Sequence, residues 1–158
     1  MSTLTFTAVW RRWAMRTLAI AVSSFCVAGA VLAHHTYAVF DMTRPTAIEG
    51  RFAKMVWTNP HIALWVYVPK AGKKGEYDLW QFQSDSVNMA QRHGWTKDVL
   101  KTDEHVTLYY FPMRARENGG YLIRLVRADG TELIGDPNAP GVAKELARTN
   151  SLPKQAAK

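Results

Sequence analysis

A mid-chain change of hydrophobic period constrains this sequence more than any other feature. Residues 62–68 alternate strictly, with Ile62, Leu64, Val66 and Val68 on one side and Ala63, Trp65 and Tyr67 on the other. A two-residue repeat is a strand, and apolar residues on both sides make it either central or the lining of an aromatic surface. Residues 47–57 and 77–83 read as strands too. In the second, Tyr77, Leu79 and Gln81 oppose Asp78, Trp80 and Phe82. Gly50, inside the first, marks a bulge or a sharp barrel bend. Thr58-Asn59-Pro60 is a turn, and residues 69–76 are a Gly/Lys hairpin loop. The period then lengthens. Over residues 84–94, Val87, Ala90 and Gln91 recur at helical spacing, with Ser84 or Ser86 as cap and Gly94 as stop. Residues 95–100 add one more helical turn capped by Thr96. Alternation returns over residues 105–111 and 121–127, and residues 132–134 form a last extended piece.

Three strands, a helix and two strands is the order of the OB arrangement, a small antiparallel barrel of five to six strands whose closure removes exposed edges. An open six-stranded sheet packed on the helix is the alternative. The barrel domain is expected over residues 34–135. From Gly135 onward Pro, Asn and Ala dominate; residues 142–148 suit one or two helical turns, but with little to pack, so 136–158 reads as a flexible tail.

The first 33 residues read as an export signal. Arg11, Arg12 and Arg16 precede an apolar run over residues 17–32, and Val31 and Ala33 stand where signal peptidase reads, with the cut after Ala33. The run is shorter than the roughly 20 residues that span a bilayer, so a cleaved signal is expected rather than an anchor, and the protein is expected in the periplasm or secreted. The formal charge of +7 loses three arginines with the signal, leaving +4. Much of that remainder lies in the tail, so the basic balance does not indicate nucleic acid. The only cysteine, Cys26, lies within the signal, which excludes disulfides and thiol catalysis in the mature chain.

Several runs then appear together: Ala33-His34-His35-Thr36-Tyr37-Ala38, Ile48-Glu49-Gly50, Trp57-Thr58-Asn59-Pro60-His61, Gly94-Trp95-Thr96-Lys97 and Gly119-Gly120. In this order and spacing the chain resembles the secreted bacterial domain-of-unknown-function family 6152, over roughly residues 33–135. The resemblance implies an exported OB-like domain and no established activity. Gln81-Phe82-Gln83-Ser84-Asp85-Ser86 departs from the smaller, glycine-rich helix approach usual in that family.

Two binding chemistries are open, copper being the leading specific expectation and an organic ligand the alternative. Cleavage after Ala33 gives His34 a free amine beside its imidazole, with His35 adjacent. His61 sits at the start of the strongest strand, after Pro60. An amine and imidazoles from His34, His61 and His35 suit copper(II), with Asp41 or Met42 near enough in sequence to reach an open position. Without cysteine, a blue-copper centre is excluded. His93 ends the helix, where a cation is favoured by the dipole, and His105 reads as a solvated edge residue. The second chemistry is a small organic ligand such as an oligosaccharide. OB barrels bind on the face of strands two and three, where Trp65 and Tyr67 stand, joined by Trp80 or Tyr77, with Trp57 and Asn59 at the adjoining corner. Arg114, Arg116, Arg124 and Arg127 form a possible cationic rim. The same rings also suit a barrel core. Hydrolysis finds no nucleophile–base pair, Ser84-Asp85-Ser86 being better explained as a helix cap, and Gly72-Lys73-Lys74-Gly75 lacks the spacing of a phosphate loop. A binding protein rather than an enzyme is expected.

Overall fold

The computed structural model describes residues 37–115 and 117–150. The expected signal, His34, His35, Arg116 and residues 151–158 lie outside the described residues. The elements are β1 (Thr46–Val56), β2 (Ala63–Pro69), β3 (Tyr77–Gln83), α1 (Val87–Arg92), β4 (His105–Pro112), β5 (Gly119–Arg127), β6 (Glu132–Ile134) and α2 (Val142–Asn150). The strands form one sheet in the order β3-β2-β1-β4-β5-β6, and β3 also pairs with β5. The first five therefore close into a barrel, with β6 added beside β5. This is the OB arrangement expected from element order, and its closure removes the open-sheet alternative.

One detail of that expectation changes. The closing pair is parallel, joining Gln81, Phe82 and Gln83 to Gly119, Gly120 and Tyr121. A ring of five strands cannot alternate direction all the way round, so at least one neighbouring pair must run the same way. The seam is tight: a Cβ on Gly119 would fall on the Gln81 carbonyl oxygen. A second close approach is at Gly50, where a Cβ would lie 2.5 Å from Val66 Cγ1 and 2.6 Å from the Tyr67 carbonyl oxygen. There β1 passes β2 at a distance only glycine permits, while the bulge expected at Gly50 falls between Phe52 and Lys54.

Inside the barrel, Phe52, Leu64, Val66, Phe82, Val106, Leu108, Leu122 and Leu125 pack in one cluster with Ala90, Trp95 and Leu100 from the β3–β4 connection. Leu122 and Leu125 both reach it because the β4–β5 register slips between Tyr109 and Tyr110, a bulge that restores the inward phase three residues on. Trp95 is anchored at its polar edge, donating from Nε1 to the Ile134 carbonyl at 2.5 Å. Residues 95–100, expected as a further helical turn, form a hydrogen-bonded turn from Thr96 to Val99.

Helix α1 is shorter than the pattern suggests, and its cap comes from elsewhere. Ser86 holds the N-cap position but makes no side-chain cap bond. The Val87 N–H donates instead to Asn59 Oδ1 at 3.1 Å. Ser84, the other cap candidate, is fully buried. The corner between β1 and β2, where the Asn59–Pro60 peptide is cis, thus holds the start of the helix by supplying one of its orphan N–H groups with an acceptor.

The segment after Gly135 packs closely, unlike the loose tail its composition suggests. Ala139 and Val142 are buried, as are Asp136 and Glu145. With Phe40, Phe111, Tyr121 and Ile123 they lie apart from the main cluster. The Phe40 and Tyr121 rings meet at 5.4 Å, the Tyr121 hydroxyl bonds Asp136 Oδ2 at 3.2 Å, and Gly141 sits against the Phe111 ring and the Met42 carbonyl. Phe40 bridges to Met113, and the Asp41 N–H donates to the Pro112 carbonyl at 2.8 Å. Residues from both ends of the described domain thus cover the outer side of β4 and β5. Few apolar residues suffice there because the barrel itself supplies Phe111 and Tyr121.

Candidate ligand-binding face

The register of the β2–β3 hairpin decides which rings share a side. It pairs Tyr67 with Leu79, Pro69 with Tyr77, and Trp65 with Gln81. Since Leu64, Val66 and Val68 point into the core, alternation turns Trp65, Tyr67 and their partners outward. Tyr67, Tyr77 and Leu79 remain 47%, 49% and 46% exposed, an apolar patch on the strands used by OB modules for binding. β1 extends the face, with Arg51 opposite Tyr67 and Lys54 opposite Trp65. The Lys54 ammonium stands 4.8 Å from the Trp65 ring centroid. Charges at the margin are matched: Lys70 lies 3.2 Å from Asp78 and 3.7 Å from Glu76, and Arg51 lies 3.2 Å from Asp103. The patch is therefore aromatic and close to neutral, suited to stacking on a flat, uncharged surface.

The other predicted ligand residues do not join it. Trp80 pairs with Val66 and shares its inward phase. Its ring stacks on Phe82 at 6.3 Å and meets Tyr110 edge-on at 6.2 Å. Burial pushes the Tyr110 phenol above its usual pKa, as expected for a ring in this layer. Trp57 packs against the core while partly buried, and Asn59 serves as the distant cap of α1. Leu79 was not singled out from the sequence, and of Trp80 and Tyr77, both offered a place beside Tyr67, the register selects Tyr77. The signal that finds both is parity: a hairpin whose even residues are core on one strand has even core residues on the other when the register sum is even.

Nor do the arginines form a rim of free cations. Arg124 is 9% exposed, with Nη1 3.0 Å from Glu132 and its guanidinium 4.1 Å above the Tyr109 ring. Arg127 donates from Nε to Glu104 Oε1 at 2.5 Å and also approaches Asp129. That bond holds the Glu104 carboxyl below its ordinary pKa, as a charged donor stabilises the ionised form.

Of the histidines, His61 is partly buried, and its Nδ1 is shut from solvent without a hydrogen-bond partner. His93 occupies the C-cap of α1, with Nε2 also buried and partnerless. His105 is exposed, 3.9 Å from Glu49. Among the described residues no three of His, Cys, Asp and Glu gather as a metal group.

No curated protein and no solved structure matches the chain. The model of the family of unknown function DUF6152 does match, over residues 22–122, which takes in the whole hairpin face and the corner that caps the helix, and the chain belongs to that family.

Proposed function

We propose that this is an exported, periplasmic binding domain that takes a small, uncharged organic ligand, such as an oligosaccharide segment, on the outer face of β2 and β3. The observation that carries this reading is the shared exposure of Tyr67, Tyr77 and Leu79 beside Trp65 on a closed barrel. Ring faces stack on the apolar faces of sugar rings, and the phenols and the Gln81 amide offer hydrogen bonds at the edges. Neutral oligosaccharides titrated against the protein are expected to change its tryptophan fluorescence through Trp65, and Tyr67→Ala is expected to abolish the response. A response that survives Tyr67→Ala and Leu79→Ala, or none with any oligosaccharide, rejects this face as the site. Mass spectrometry of the exported protein tests its location, a mature chain beginning at His34 being expected.

A second reading, copper(II) bound through His34, His35 and His61, draws support from the partnerless Nδ1 of His61. Copper titration of wild type, His34→Ala and His61→Ala tests it. Wild-type affinity in both variants removes it.

A further inference from the structure

The end of the hairpin nearest the helix carries polar atoms that the fold leaves unused. The Ile62 N–H donates to the Asp85 carbonyl at 2.8 Å, and the Ser84 N–H donates to the Ile62 carbonyl at 3.0 Å. Past the last ladder pair, Ala63 and Gln83, these bonds set both Ser84 and Asp85 against Ile62, the residue that follows His61. His61 Nδ1 and Asp85 Oδ2 are both shut from solvent, and neither has a hydrogen-bond partner, so they do not bond each other. Ser84 Oγ, on the fully buried residue before Asp85, is partnerless as well. Asp85 is held in place by its other oxygen, which accepts the Ser86 N–H at 2.6 Å.

Each such atom costs about 1–3 kcal/mol when left unsatisfied, and native domains leave few. Two of them, His61 Nδ1 and Asp85 Oδ2, lie on segments joined by the Ile62–Asp85 backbone bond and point to a shared partner. A carboxylate oxygen only accepts, and an imidazole nitrogen without its proton also only accepts. Two buried acceptors on adjoining segments call for a cation or for a molecule with two protons to give. Imidazole nitrogen and carboxylate oxygen are ordinary ligands of zinc and copper(II), and copper(II) binds most tightly in the divalent series.

We propose that His61 Nδ1 and Asp85 Oδ2 are two ligands of a divalent transition-metal site at the helix end of the β2–β3 hairpin, with water completing the coordination. This rests on the metal reading of His61 but not on where the mature chain begins. Asp85 is the new element, and it separates the two ideas.

The exported protein is titrated with Cu2+ alone and, separately, with Zn2+ alone. The variants are His61→Ala, Asp85→Asn and the two combined. Asp85→Asn keeps the oxygen that holds Ser86 and removes the negative charge, and near-UV circular dichroism verifies the fold of each variant. Both metals are expected to raise the wild-type Tm. Each single variant is expected to weaken one binding event at least about tenfold, and the double variant to weaken it little further, as for two ligands of one ion. Loss in His61→Ala with wild-type binding in Asp85→Asn overturns the pairing and leaves the copper reading standing. Wild-type binding in all three variants overturns both. Absence of any metal-induced rise in Tm overturns the proposal.

Discussion

The outer side of β4 and β5 and the outer side of β2 and β3 belong to one barrel and carry similar side chains. Phe111 and Tyr121 lie on the first; Trp65, Tyr67, Tyr77 and Leu79 lie on the second. On β4–β5, Phe40 and the segment carrying Ala139 and Val142 cover the rings, and Tyr121 falls to 1% exposure. On β2–β3 nothing among the described residues does so, and Tyr67 keeps 47%. Among the described residues, the apolar covering lies on the β4–β5 side. Burial of apolar area stabilises by roughly 25 cal/mol per Å2, so a bare aromatic face forgoes stability that the opposite face collects. The proposed ligand site lies on the side left bare.

The sharpest way to break this contrast is to uncover the covered side. Phe40 is 1% exposed against Tyr121, so Phe40→Ala leaves a cavity and is expected to lower the unfolding free energy by about 4 kcal/mol. Urea unfolding measures it. A loss below about 1 kcal/mol shows that the N-terminal segment rests on β4–β5 without holding it. Next in size is the seam between the two sides. Gly119→Ala drives a methyl group into the Gln81 carbonyl, and the parallel closure has to part to admit it. A loss of about 3 kcal/mol is expected, again from urea midpoints. Wild-type stability in this variant means the barrel is not closed at β3–β5.

The architecture was legible in the sequence because barrel strands declare themselves locally. Residues 62–68 alternate, and the switch to helical period after Gln83 places α1 between β3 and β4. The covering of β4–β5 was not legible. Val142 and Ala139 are two small apolar residues in a polar stretch, and only the presence of Phe111 and Tyr121 on the barrel surface makes them a packing layer. The cap of α1 was missed for a similar reason, since Asn59 lies 28 residues before the N–H it accepts and local rules favour Ser84 or Ser86. Trp80 and Tyr77 were both open for the place beside Tyr67, and only the hairpin register decides between them, in favour of Tyr77. Asp85 drew no notice as a ligand because its relation to His61 exists only once β2 and β3 are paired.

A smaller, pH-dependent effect comes from the barrel rim, outside both faces. Glu104 accepts from the Lys101 N–H and from Arg127, and its carbonyl accepts from the Phe52 N–H. Its carboxyl titrates below the ordinary 4.5, chiefly because of the Arg127 hydrogen bond. The folded state therefore holds that proton less tightly than the unfolded state. The resulting stability is complete above the ordinary value and is lost as pH falls through the lowered one. Glu104→Gln is expected to be less stable than wild type at neutral pH, and the gap in urea midpoint is expected to close under acid. A gap that stays constant on acidification assigns the effect to shape rather than charge.

The smallest stability effect belongs to the bare face, and its smallness is the point. Tyr67 and Leu79 are cross-strand partners, and such pairs contribute roughly 0.2–1 kcal/mol relative to alanine. Each is close to half exposed, so truncation removes contacts with the partner and the neighbouring strand but opens no cavity. Tyr67→Ala and Leu79→Ala are each expected to cost less than about 1 kcal/mol, several times less than Phe40→Ala. Because the two residues touch, the double variant is expected to cost less than the sum of the single ones. A loss matching that of Phe40→Ala places these side chains among the structural supports of the barrel and removes the contrast between its two sides. A small loss together with an abolished oligosaccharide response separates holding the fold from holding a ligand, and locates the second task on β2 and β3.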